Sequence, residues 1–202
     1  MMNAKQTPNI EDAPMSVEHT SRRGRTWYLH VKTTAAGKSS YFFSMNADGQ
    51  LVPAIPDGYE VYENVNGQVF LRKKTAQTIL PKELAFVEGA LHKHTEYWRY
   101  RAEIKKNAII VHETGDMSGL DGLSREFRGR PLADNEMLPR AHYMAMLRFT
   151  LADKKSRFFV TERFCFRGSI DDWIQIGGPA PLAVQLRQFV KHLGRESFYE
   201  LF

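Results

Sequence analysis

Apolar residues recur at every second position along most of this chain, and at helical spacing in only two stretches. The clearest alternation lies between residues 143 and 166. Tyr143, Ala145, Leu147, Phe149 and Leu151 form one apolar face, Asp153-Lys154-Lys155 turns, and Phe158, Val160, Phe164 and Phe166 answer on the return. A period of two is the mark of a half-buried strand, so this stretch predicts an antiparallel hairpin.

The same reading extends to both sides. Trp27, Leu29 and Val31 alternate with polar neighbours, Ala36-Gly37-Lys38 turns, and Tyr41, Phe43 and Met45 continue on a second strand. Tyr59 and Val61 pair with Val69 and Leu71 across Asn66-Gly67, a dipeptide suited to the φ > 0 positions of a hairpin turn. Pro81 is placed for the first turn of a helix, where its missing N–H leaves no bond unmade, and Leu84, Val87 and Leu91 follow at helical spacing to about His94. Trp98, Tyr100, Ala102 and Ile104 restore period two, and Lys105-Lys106-Asn107 turns into a strand from Ala108 to Glu113. The segment from Gly115 to Pro139 is Gly-rich, with at most one short helix near Leu123 to Phe127. Leu182, Leu186, Phe189, Val190 and Leu193 form the last helical stripe, stopped by Gly194, and the apolar tail with Phe198, Leu201 and Phe202 is expected to dock.

These elements predict an α+β fold. A disordered leader over residues 1–24 precedes a small antiparallel β module of two hairpins over 25–75. An α+β module with a mainly antiparallel sheet and two helices occupies 76–202. The leader is assigned by its polar, unpatterned sequence, which offers too little apolar surface to offset chain ordering. Arg22-Arg23-Gly24-Arg25 then reads as a solvated hinge, or as an arm that contacts phosphates.

Composition narrows the class. A single cysteine, Cys165, excludes an internal disulfide framework and a Cys-rich zinc module. The longest clean apolar run, Ala108 to Val111, is far short of the roughly twenty residues a spanning helix needs. No apolar signal core lies in the first thirty residues, so a cytoplasmic protein away from membranes is expected. The net charge of +5 is modest for 202 residues and does not by itself define a nucleic-acid binder.

Two stretches resemble segments of an uncharacterised family of bacterial proteins. One is Ile55-Pro56-Asp57-Gly58-Tyr59-Glu60-Val61-Tyr62-Glu63-Asn64, running on to Gln68-Val69-Phe70-Leu71-Arg72-Lys73. The other is Arg163-Phe164-Cys165-Phe166-Arg167-Gly168-Ser169-Ile170-Asp171-Asp172-Trp173, with Leu193-Gly194-Arg195-Glu196-Ser197-Phe198. The resemblance implies a bacterial cytoplasmic protein. It implies no activity and assigns no functional residue.

Several residues invite a chemical reading. His92 and His94, with Glu96 near and His112-Glu113 on a later strand, are the best metal ligands on offer, but residues two apart on a helix point about 200° apart. No metal and no cofactor is therefore expected. Glu162 falls among Phe158, Val160, Phe164 and Phe166, where burial would raise its pKa as a general acid requires. A hydrolase, nuclease-like, would use Glu162 with Asp171 or Asp172, or a His112/Glu113 site. Against this, Ser169 or Asp171 reads as a helix N-cap with Trp173 as a packing anchor, and Cys165 as a structural thiol. No phosphate-loop, nucleophile-elbow, kinase or zincin signature is present.

The strongest signal is distributed. If odd positions of the first hairpin strand and even positions of the second face the core, the opposite face carries His142, Arg148, Arg157, Arg163 and Arg167. Arg99 and Arg101 fall opposite Trp98 and Tyr100 in the same way. Residues 140 to 167 hold seven Lys/Arg against two acids. Such a face predicts a binding or adaptor protein that contacts nucleic acid or an acidic partner. The alternatives are the hydrolase and a purely structural subunit, in which the same arginines serve cross-strand pairs with glutamate. The oligomeric state is not fixed by any of these features.

Overall fold

The computed structural model describes residues 16–94, 96–115, 141–167 and 170–202, with backbone only at 166, 167, 170 and 171. The fold is α+β, with two small antiparallel sheets, a five-stranded antiparallel sheet and two helices. Its contacts divide it into two compact units. One runs to Glu63 and includes Gly67–Lys74; the other comprises Asn64–Asn66 and Thr75–Phe202. Among the described residues, no helix is long and apolar enough to cross a membrane.

In the first unit, β1 (Glu18–Thr20), β2 (Thr26–Thr33) and β3 (Ser39–Ser44) form a sheet in that order. A separate hairpin joins β4 (Tyr59–Glu63) to β5 (Val69–Lys73), with Val61 opposite Leu71. Leu29, Phe43 and Val69 are its buried centre, and Trp27, Tyr41, Val61 and Leu71 pack around them. Part of the expected leader is thus structured. Residues 18–20 pair with β2, and Val17 exchanges backbone hydrogen bonds with Leu29 and Val52. Three residues suffice because the adjacent turn is locked: Ser21 is buried, its N–H donates to the Arg25 carbonyl at 2.8 Å, and Gly24 takes φ +69°. The arginine cluster at 22–25 is this turn, not a hinge; residues 1–15 lie outside the described set.

The second unit is built on a sheet of order β10-β9-β8-β7-β6. Its strands are β6 (Tyr100–Lys105), β7 (Ala108–Thr114), β8 (Tyr143–Asp153), β9 (Phe158–Arg167) and β10 (Ile170–Pro181). Helices α1 (Pro81–Leu91) and α2 (Leu182–Phe189) contribute Val87, Leu91, Leu182, Leu186 and Phe189 to one core with Ile109, Val111, Leu147, Phe149 and Phe159. Burying each such side chain stabilises the fold by roughly 1.5–3 kcal/mol. The expected Gly-rich segment beyond residue 115, with its short helix near 123–127, lies outside the described residues.

Two sequence expectations are corrected here. Ile170–Pro181 is a strand, so Asp171 is not the helix N-cap expected of it; every residue from Ile170 to Gln175 pairs in register with β9. The core face of β9 is also the odd one: Phe159, Thr161, Arg163 and Cys165 are buried, whereas Phe158 is exposed. The turn sets the phase. Arg157 takes φ +56° and the pairing shifts by a residue between Leu151 and Asp153, so Leu151 faces Phe159 and Phe149 faces Thr161.

Helix α2 is tied to this sheet through Gln185, which is 1% exposed. Its amide nitrogen donates to the carbonyls of Phe159 and Gly178, both at 2.6 Å, and its oxygen accepts from the Thr161 hydroxyl at 2.7 Å. Gly177 permits the approach. A Cβ there would lie 2.7 Å from the Phe189 ring and 2.8 Å from the Gln185 oxygen. Helix α1 is held by Glu83, whose carboxylate accepts the Leu80 N–H at 2.8 Å and both arms of the Arg157 guanidinium.

Replacing Gln185 by Ala should destabilise the protein by about 2–4 kcal/mol, because it strands two carbonyls and a hydroxyl and opens a cavity. Gly177→Ala should destabilise it as well, by about 1–3 kcal/mol of overpacking. Urea denaturation of both variants checks this; a loss under about 0.5 kcal/mol for Gln185→Ala would remove the glutamine's assigned role.

Candidate functional site

The register settles where the sheet arginines lie. Arg148 pairs across the strands with Glu162, on the face of β8 and β9 that α1 and α2 do not cover. Its Nε donates to Glu162 at 2.7 Å, its second arm reaches the other carboxylate oxygen, and its guanidinium stacks 4.3 Å from the Trp173 ring centroid. The Thr150 hydroxyl adds a third bond to Glu162 at 2.6 Å. Burial pushes the Glu162 carboxyl up, but the bonds from Arg148 and Thr150 outweigh it and hold it below the usual glutamate range. Glu162 is thus an ionised partner of Arg148, not a protonated acid in an apolar setting.

The other arginines part company with Arg148. Arg163 is 3% exposed on the helix side, where it donates to the carbonyls of Leu201 at 2.9 Å and Tyr199 at 3.2 Å. Arg157 is held by Glu83 and by the Thr78 carbonyl at 3.1 Å. Arg99 bridges Glu96 at 2.9 Å and Glu113 at 2.7 Å, and Arg101 lies 5.2 Å from the Tyr143 ring centroid. His142 is exposed just before β8, and the Arg167 side chain lies outside the described set. The expected single basic sheet face is therefore corrected. Its members divide between two faces and a turn, and Arg99, Arg148, Arg157 and Arg163 are each engaged by protein acceptors.

Of the expected acid sites, His112 and Glu113 do not converge, and the pairing of Glu162 with Asp171 or Asp172 lies partly outside the described residues. His112 and Glu113 are adjacent on β7 and point to opposite faces: His112 contacts Glu103 at 3.3 Å, and Glu113 lies beside Tyr100 and Arg99. Burial pushes the His112 pKa down, favouring the neutral imidazole against the opposing pull of Glu103. Asp172 is opposite Cys165 in the β9–β10 register, three pairs from Glu162, yet near enough for its charge to oppose the ionisation of Glu162; the Asp171 side chain is outside the described set. His94 points to the Leu193 carbonyl at 3.2 Å while His92 packs on Tyr97. No group of three or more His, Cys, Asp or Glu among the described residues could hold a metal ion.

What the fold does assemble is a groove of about 540 Å³ between α1 and α2. Small residues make its floor: Ala85, Gly89 and Ala90 from α1, and Ala183 from α2. Phe86 stands 49% exposed on one wall, and Leu186 and Val190 close the base. Lys93, Arg187 and Lys191 rim it, with no acidic side chain in the lining, and none of the three makes an ion pair among the described residues. This signal was present in the sequence as residues at i, i+4 and i+8 (85, 89, 93 and 183, 187, 191), the last of each on the turn that follows its helix, but only the packing of α1 beside α2 joins the two stripes.

Comparison with protein-family models, with curated proteins and with solved structures finds no match to this chain.

A double-mutant cycle on Arg148→Ala and Glu162→Ala should give a coupling of about 1–2 kcal/mol, between the values typical of exposed and buried pairs. Since the folded-state pKa of Glu162 is depressed, that coupling is present above the ordinary glutamate pKa and is lost as pH falls through the folded value. Cycles run at pH 7 and in stronger acid check it, and a coupling that grows on acidification would contradict the assignment.

Proposed function

We propose that this chain is a binding or adaptor protein, and that the groove between α1 and α2 seats an acidic amphipathic helix of a partner protein. The observation that carries this reading is the charge of the groove. Three unpaired cations rim an apolar floor that contains no acid. Exposed apolar surface bordered by polar residues is the ordinary anatomy of a protein-binding site. The floor of Ala and Gly lets another backbone approach closely, as helix-in-groove recognition requires. A partner helix with apolar residues at i, i+3 or i+4, and i+7 would lie against Phe86 and Leu186, its acids reaching Lys93, Arg187 and Lys191.

Nucleic acid is the weaker reading of the same positive charge. A phosphate backbone needs several cations free to replace counterions along one track, and the sheet arginines are largely held by glutamates and carbonyls.

A fluorescent sixteen-residue peptide with leucines at helical spacing and glutamates elsewhere should bind the full chain with a Kd of about 1–10 μM. Its lysine-for-glutamate counterpart should not bind. Gly89→Leu fills the groove from a position where an added Cβ meets nothing within 4 Å, so it should block the peptide and leave the fold as stable or more so. The reading fails if the peptide binds no better than its lysine counterpart, or if poly(U) and duplex DNA bind more tightly than the peptide does.

A further inference from the structure

A cavity of about 550 Å³ opens between the ends of β7 and β8 and the segment that follows α2. Glu113 lies in its lining with Met144 and Met146, and Arg99, Arg195 and Tyr199 complete the walls. The Glu113 carboxylate is half engaged. Its Oε1 forms an ion pair with Arg99 at 2.7 Å and accepts from the Tyr100 hydroxyl at 3.3 Å. Its Oε2 accepts no hydrogen bond among the described residues, yet it is not sealed from solvent. The carboxylate lies in the lining of the cavity.

The surroundings select the ligand. Arg99 is shared between Glu113 and Glu96, so one guanidinium serves two carboxylates. In the lining itself Arg99 and Arg195 balance Glu113 and Glu196, so the cavity carries no net charge and the open oxygen of Glu113 is its acceptor for a cation. Met144, Met146 and Tyr199 supply polarizable and aromatic surface, which suits both an apolar body and a cation. The volume is in the range of small-molecule sites. The backbone has made room: Gly194 takes φ +72°, and a Cβ there would lie 2.8 Å from the Tyr100 oxygen that positions Glu113.

We propose that this cavity binds a small organic amine, its ammonium received by the free oxygen of Glu113 and its apolar body packed on Met144 and Met146. The site is separate from the helix groove and does not depend on what that groove binds.

The test uses the full chain labelled with 13C at the methionine methyl groups, titrated with phenethylamine and with its carboxylate counterpart 3-phenylpropionate. Phenethylamine should shift the Met144 and Met146 methyl signals saturably, at least about tenfold more tightly than 3-phenylpropionate. Glu113→Gln should abolish that preference. Met144→Trp, at an exposed position that plugs the cavity, should abolish binding of both, and Gly89→Leu should change neither. The proposal is overturned if phenethylamine gives no saturable shift up to about 10 mM. It is overturned equally if the two probes bind alike, or if Glu113→Gln, folded by its amide spectrum, keeps the preference.

Discussion

The side-chain amide of Gln185 is the contact on which the second unit depends. A glutamine deep in a helix–sheet interface is stable only when its donors and acceptor are all met, and here one amide meets two strand carbonyls and a threonine hydroxyl. Those partners sit on β9 and on the irregular end of β10, whose pairing shifts between Gln175 and Gly177 and again before Ala180. The irregularity leaves the Gly178 carbonyl without a regular ladder position, and Gln185 takes it up. One contact therefore fixes the place of α2, and with it one wall of the helix groove and the start of the segment that borders the Glu113 cavity.

Charge follows the same economy of position. The excess of basic residues between 140 and 167 looks, in sequence, like a surface meant for a polyanion. In the fold most of these arginines act as structural ties. Arg157 joins the β8–β9 turn to the start of α1, Arg148 crosses from β8 to β9, and Arg163 holds the carbonyls of Tyr199 and Leu201. A guanidinium suits each role because its several donors lie in one rigid plane. The cations left free of acidic partners at the groove are Lys93, Arg187 and Lys191, on α2 and on the turns that follow the two helices rather than on the sheet.

Much of the architecture was legible in the sequence because period and turn chemistry agree there. The α1 and α2 stripes, the Asn66-Gly67 hairpin and the turn at Lys106 (φ +57°) all fall where the pattern places them. The phase of β9 was not legible, since Phe158 and Phe159 give both parities an apolar start and the bulge beside Arg157 decides between them. Thr161 and Arg163 made the true core face look polar; their partners, Gln185 and the tail carbonyls, are distant in sequence. Strand β10 was hidden by Asp171, Asp172 and the Gly177-Gly178-Pro179 run, all poor strand residues that its pairing with β9 overrides. The tail was half legible: Phe198 is 1% exposed as its apolar character suggests, but Phe202 is 77% exposed, with the Arg163 guanidinium 5.4 Å from its ring centroid.

Hydrogen exchange of the α2 backbone amides tests the role of Gln185 most directly. If this side chain anchors the helix, the amides of Leu186 to Phe189 exchange in the wild type only through global unfolding, as slowly as those of β7 and β8. In Gln185→Met, of similar volume but with no amide, those helix amides lose protection well before β7 and β8 do. Helix amides that already exchange far faster than β7 and β8 in the wild type, or that are indifferent to the substitution, would contradict the account.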